Sequence, residues 1–189
     1  EAQRVLPTQP SWSTITLCTP DGKGLVNTNY PLGQKVPDVT ERESLAKIVV
    51  TCEPVVGTVR KDPRSGVYTL PIRVPILQNN ELKYVLTAML ETPAFSGIVS
   101  GGSTAGEWTR SIIDADDVVV ARTREPERFV GKRAGPALAR KLRSAPFGWF
   151  PTVEGEGQAG DVAFSRAPSS DWVASVVVPR EEIDGPAGQ

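Results

Sequence analysis

The 189-residue sequence contains no histidine. That removes Ser-His-Asp and Cys-His catalysis, His-ligated zinc and His-ligated haem. It also removes any phospho-accepting histidine from this chain. Cysteine is almost as scarce: Cys18 and Cys52 are the only two, too few for a zinc or iron–sulfur site. No cofactor or metal is therefore expected. Charge of one sign is missing as well, since the net value is −1, so nothing draws the chain toward nucleic acid. No apolar run approaches the ~20 residues that span a bilayer. The first residue is Glu1 rather than Met, as expected of a piece of a longer protein.

What is present describes a folded, turn-rich chain. Apolar residues make up 39% and charged residues 23%, with 17 glycines and 17 prolines as punctuation. The chain also repeats itself. Trp12–Asp21, Gly22–Thr28 and Pro31–Gly33 are followed, far downstream, by Trp108–Asp117, Val118–Thr123 and Phe129–Gly131. In each copy a Trp opens an apolar run, an acidic turn follows, and a β-branched run ends in a Gly-terminated loop. Both copies are hairpin signals. Later hairpins also match: Val67–Pro75 with Leu82–Leu90 across Gln78–Glu81, and Asp161–Pro168 with Trp172–Pro179 across Ser169–Asp171.

Helical signals sit between these halves. Thr40–Val50 begins with a Thr and carries Glu43 three residues on, a capping-box pattern. Pro136–Arg143 begins with Pro and ends in basic residues, matching the helix dipole. Third strands are expected at Val55–Arg60 and Trp149–Val153. Each unit thus reads strand–strand–helix–strand–strand–strand, an α+β layer with a five-stranded antiparallel sheet. The expected boundaries are 1–91 for the first unit, 92–107 for a linker that opens with a short broken helix and continues Gly/Ser-rich, 108–180 for the second unit and 181–189 for a lead-out segment.

Few motifs carry chemistry. Ser44-Leu-Ala-Lys47 matches a Ser-x-x-Lys pattern but lacks its Ser-Asp-Asn and Lys-Thr-Gly companions. Gly101–Gly106 lacks the Lys-Ser/Thr ending of a phosphate loop. Asp114, Asp116 and Asp117 could hold a hard cation, yet a hairpin turn explains them equally. Cys18 and Cys52 are expected as two buried free thiols rather than a disulfide. Between residues 118 and 143, eight basic residues face only Glu125 and Glu127. This excess reads as a solvated surface, with attraction to lipid headgroups as the alternative.

The best candidate for a binding site is in the first unit. Thr58, Arg60, Tyr68, Arg73, Tyr84 and Thr87 interrupt otherwise apolar strands. Arginine with hydroxyls suits a small anionic ligand, because guanidinium grips carboxylate bidentately. Strand alternation sets a limit. Tyr68, Leu70, Ile72 and Val74 share one face, whereas Thr69, Pro71 and Arg73 share the other, so Tyr68 and Arg73 point inward together only across a bulge.

Taken in order, these segments resemble the double Cache (dCache) sensor domains, the PAS-like extracytoplasmic parts of bacterial transmembrane receptors. The resembling stretches include Leu17–Thr28, Pro31–Gly33, Val50–Val56, Ile72–Ile76, Ile113–Arg122, Glu127–Gly131 and Phe164–Val173. The resemblance implies two tandem PAS-like modules, membrane-distal then membrane-proximal, and a periplasmic part of an inner-membrane receptor. A two-component sensor histidine kinase is the foremost receptor type; a diguanylate cyclase or chemoreceptor is the alternative. It implies a non-enzymatic chain that binds a small molecule in the distal module and passes a change to adjoining membrane helices. A homodimer is an option, and an interaction or dimerisation module without a ligand is the competing reading. Two departures stand out. The long N-terminal helix of such domains is largely missing, and Met89 stands near the place where amino-acid-binding members carry an acid. A carboxylate or an uncharged ligand is then expected as readily as an amino acid.

Overall fold

The computed structural model describes residues 2–101, 108–152 and 159–183. The chain divides into two compact units, Glu1–Ala94 and Phe95–Gln189. The expected linker stretch 102–107, Val153 and most of the lead-out lie outside the described residues.

In the first unit a short helix α1 (Ala2–Val5) precedes strands β1 (Trp12–Cys18) and β2 (Gly24–Asn27). Helix α2 (Glu43–Thr51) follows, then β3 (Val55–Val56), β4 (Arg60–Lys61), β5 (Tyr68–Gln78) and β6 (Glu81–Glu91). The antiparallel sheet runs β2-β1-β6-β5-β3, and β4 also pairs with β5. The β5–β6 hairpin closes through Asn79 and Asn80, both at positive φ (54° and 63°). Asparagine tolerates that conformation, and it matches the right-handed twist of the strands. Cys18, Leu45, Ile48, Val55 and Val85 form the core between α2 and the sheet.

Two expectations shift. The single third strand of Val55–Arg60 is broken into β3 and β4, giving six strands rather than five. Pro71 on β5 has no N–H to donate at the break, and its carbonyl accepts the Gly57 amide at 2.8 Å. The helix starts at Glu43, not Thr40, because the acceptor at its start is a Glu41 oxygen, which takes the Ser44 amide at 3.0 Å. Cys18 is buried, but Cys52 is exposed at the left-handed end of α2 (φ 52°); both thiols are free.

The second unit begins with α3 (Ser96–Ser100), β7 (Thr109–Ile113), β8 (Val119–Arg122), α4 (Pro126–Phe129) and α5 (Pro136–Arg143). It ends with β9 (Phe147–Pro151), β10 (Gly160–Arg166), β11 (Val173–Pro179) and α6 (Arg180–Ile183). The strand order β8-β7-β11-β10-β9 repeats the order of the first sheet. The core gathers Ile113, Leu138, Leu142, Phe150, Val162, Phe164 and Val177 among others. No described helix is long and apolar enough to cross a membrane.

Hydrogen bonds fix how the two copies correspond. The Thr28 amide bonds the Ile15 carbonyl and its hydroxyl accepts the Ile15 amide; Thr123 makes the same pair of bonds with Arg110. Val39 to Gly22 and Ala134 to Asp117 are a second matched pair. The counterpart of Trp108 is therefore Ser13, not Trp12, one position from the match that the sequence suggests. The Asp114–Asp117 cluster is a turn. Asp114 Oδ1 accepts the amides of Asp116 (2.9 Å) and Val118 (2.8 Å), and Asp117 pairs with Arg143. Among the described residues no three His, Cys, Asp or Glu side chains gather in a way that could hold a metal ion.

Gly24 shows how tightly the β2 edge is held. A Cβ there would lie 2.3 Å from the Pro37 carbonyl oxygen and 2.8 Å from Val36. Gly24→Ala is expected to destabilise the chain by about 1–3 kcal/mol, whereas Gly97→Ala, with nothing within 4 Å, should not. Urea denaturation of the two variants checks this.

Candidate functional site

The first unit contains a cavity of about 420 Å³. Its back wall is the inner face of the sheet: Thr14, Thr16 and Cys18 of β1, Thr69, Pro71 and Arg73 of β5, and Thr87 and Met89 of β6. Thr16, Thr87 and Arg73 are register partners across three adjacent strands. Asn27, Asn29 and Tyr30 form one side, the 37–41 segment another, and Thr58 with residues 60–64 the rim. The lining is mostly hydroxyl, amide and small apolar.

Arg73 is the deepest charge in this wall, with a side chain only 3% exposed. Its Nε donates to Ser44 Oγ at 2.6 Å and its Nη1 to Thr87 Oγ1 at 2.9 Å. Its Nη2 donates to the Glu41 backbone oxygen at 3.2 Å and to Glu41 Oε2 at 3.1 Å. Four of the five guanidinium N–H groups are thus committed to the protein. Glu41, 12% exposed, also takes the Ser44 hydroxyl, so one carboxylate joins the start of α2 to the sheet. Arg73 is a buried ion-pair partner and not the free clamp for a ligand carboxylate that its residue type suggests. The same contacts dispose of the Ser44/Lys47 motif: Ser44 is locked between Glu41 and Arg73, and Lys47 is exposed.

The rim has a different character. Arg64 Nη2 donates to the Tyr30 hydroxyl at 2.8 Å, and its guanidinium lies 4.7 Å from that ring. Asp62 accepts the amides of Arg64 and Ser65, and Asp38 accepts the Gly24 amide, so both acids are engaged in turns and edges. Arg60 and Lys61 are exposed, and neither has an ion-pair partner among the described residues.

Of the six expected site residues, the cavity brings together Thr58, Arg60, Arg73 and Thr87. Tyr68 and Tyr84 are not in its lining. Each sits one residue out of phase with the inward positions Thr69 and Val85, so the pleat turns it to the other face. Glu41, Tyr30 and Arg64 escaped the reading of the sequence, and Ser44 entered it only through the Ser-x-x-Lys pattern. Their only signal was polarity in segments that reach the site from a distance in the chain.

Burial pushes the Cys18 thiol up, and the nearby Arg73 and Arg42 only partly offset this, so Cys18 stays a neutral thiol. Burial also pushes Glu41 up. The hydrogen bonds from Ser44 and Arg73 and the charge of Arg73 outweigh it and hold the carboxyl below its ordinary value. A lowered folded value means that Glu41 stabilises the fold above the ordinary glutamate range, and that this is lost as pH falls through it. Urea denaturation from about pH 6 down to about pH 3 should show a shallower acid loss for Glu41→Gln than for the parent chain.

No family profile and no curated protein matches the sequence. Solved structures do match. The extracellular domain of rpHK1S-Z16, assigned as a histidine kinase, aligns with TM-score 0.74 and 15% identity, over 97% of this chain and 78% of that one. The periplasmic sensory domain of the Campylobacter jejuni chemoreceptor Tlp1 aligns with TM-score 0.66 and 13% identity, over 99% and 79%. The ligand-binding domain of the Pseudomonas aeruginosa chemoreceptor PctB in complex with L-Arg aligns with TM-score 0.71 and 14% identity, over 96% and 76%. The fold is that of the two-module, Cache-like domains of such receptors.

Proposed function

We propose that this chain is an extracytoplasmic ligand-sensing domain of a transmembrane receptor, with the first unit as the membrane-distal module and its cavity as the ligand site. The observation that carries this reading is the 420 Å³ cavity, whose deepest charge is already neutralised within the protein. That volume falls in the ordinary range for small-molecule sites, roughly 300–1,000 Å³. The neutral, hydroxyl-lined back suits a polar uncharged group, and Arg60 and Lys61 at the rim suit a carboxylate. Met89 in the lining supplies no counter-charge for an ammonium group. Solved neighbours bind L-Gln, L-Arg and L-isoleucine, which supports the size class of the ligand.

The function is binding, with no turnover. A ligand does signalling work only through its different affinities for two arrangements of the domain. The shift would be read by adjoining membrane helices and an output module elsewhere in the receptor. A histidine kinase is the first choice and a chemoreceptor the second, since both types share the fold.

A second reading, an interaction or dimerisation module, has one observation in its favour. Phe147 and Trp149 lie on the same face of the edge strand β9, each 72% exposed.

A thermal-shift screen of the purified chain against amino acids, mono- and dicarboxylates, polyols and amines decides between the two readings. A ligand at ~100 times its Kd adds about 2.7 kcal/mol, a Tm rise on the order of 5–10 °C. Calorimetry with the hit should show affinity falling about tenfold or more in Arg60→Ala and unchanged in Tyr84→Phe. No shift from any class, with a cooperative melt and dimers in sedimentation, would favour the second reading.

A further inference from the structure

We propose that the second unit holds its own ligand site, for a small organic acid, separate from the site in the first. A cavity of about 280 Å³ opens on the inner face of its sheet, beneath the segment that leads into α5. Arg122, Ser111 and Ser175 line it, and they are register partners on the adjacent strands β8, β7 and β11. Arg122 is 6% exposed and held in the wall: its guanidinium lies 4.1 Å from the Phe129 ring, and its Nε donates to the Arg124 carbonyl at 3.2 Å. Arg128, which pairs with Glu125 at 3.5 Å, and the exposed Lys132 and Arg133 complete the cationic lining. Among the described residues no Asp or Glu lines this cavity. Val162, Leu138 and Val177 give it an apolar side.

The correspondence between the two copies shows what has changed. Thr16 and Thr87 match Ser111 and Ser175, so the row of hydroxyls is kept. Asn27 is replaced by Arg122, and Arg73 by Phe164, which moves the buried arginine to the opposite side of the same row. By the match of Val39 with Ala134, Asp38 corresponds to Arg133 and Glu41 to Pro136. Where the first unit supplies carboxylates from the segment before its helix, the second supplies cations. The positive excess does not rest on Arg122 alone, because Lys132 and Arg133 have no ion-pair partner among the described residues. An apolar-walled cavity with hydroxyls and cations is complementary to a carbon skeleton that bears carboxylate. The excess of basic residues between 118 and 143, which reads in sequence as a solvated face, is in part the lining of this site.

The test is a titration of the ¹⁵N-labelled chain at low ionic strength with succinate, acetate and inorganic phosphate in separate arms, followed by amide chemical shifts. The expected result is a saturable shift with succinate or acetate at Ser111, Gly135 and Ser175. Lys132→Ala/Arg133→Ala, both exposed, should weaken it by about tenfold. Ser175→Ala should weaken it too, and Arg60→Ala in the first unit should leave it unchanged. Shifts confined to the first unit, shifts that never saturate, or an unaltered affinity in Lys132→Ala/Arg133→Ala would overturn the proposal. Saturation by phosphate alone would overturn the assignment to organic acids.

Discussion

One buried ion pair organises the first unit. Arg73 and Glu41 are 32 residues apart, and their contact joins the segment before α2 to the middle of the sheet. Taking two charges out of water costs several kcal/mol unless each is matched by good geometry and further hydrogen bonds. Here Ser44 and Thr87 supply those bonds. Other features follow from it. A Cβ at Gly57 would lie 2.9 Å from Ser44 Oγ and 2.6 Å from Pro71, so the chain passes there only without a side chain, and the third strand breaks at that point. The cavity inherits a back wall that is polar yet electrically neutral, and net charge is left to the rim.

The second unit answers the same topological problem with a different distribution of charge. Its sheet has the same strand order and keeps the hydroxyl pair, but its core is larger and more aromatic, with Phe150 and Phe164 5.7 Å apart. Arg73 has become Phe164, so the arginine of this row stands on the opposite side, at Arg122. Its helix α5 is tied down elsewhere: Arg143 reaches Asp117 in the hairpin turn, and Arg166 Nη2 donates to the Leu142 carbonyl at 2.9 Å near the helix end. A duplicated architecture can thus carry two environments, one neutral at its back and one cationic.

Much of this was legible in the sequence, for identifiable reasons. Repeated hairpin signals and the Pro136–Arg143 helix depend on local periodicity and capping, which short windows contain. Alternation along β5 correctly set Arg73 apart from Tyr68. The misses are long-range. The capping-box pattern of Thr40 and Glu43 gives Glu41 no role, and only the fold reveals that it reaches Arg73. The break at Gly57 depends on Pro71 across the ladder. The hydroxyl of Tyr84 suits a site, but its place one residue out of phase with Val85 turns it to the other face. The basic residues of 118–143 lie on a strand, a loop and a helix, and nothing in their order shows that four of them meet at a cavity.

Arg73 is bound to the protein rather than reserved for a ligand. A double-mutant cycle on Glu41→Gln and Arg73→Met, by urea denaturation at neutral pH, measures it most directly. The single variants should be strongly destabilised and their effects non-additive, with a coupling of about 1–3 kcal/mol. Additive losses would contradict it, and would return Arg73 to the cavity as a free cation.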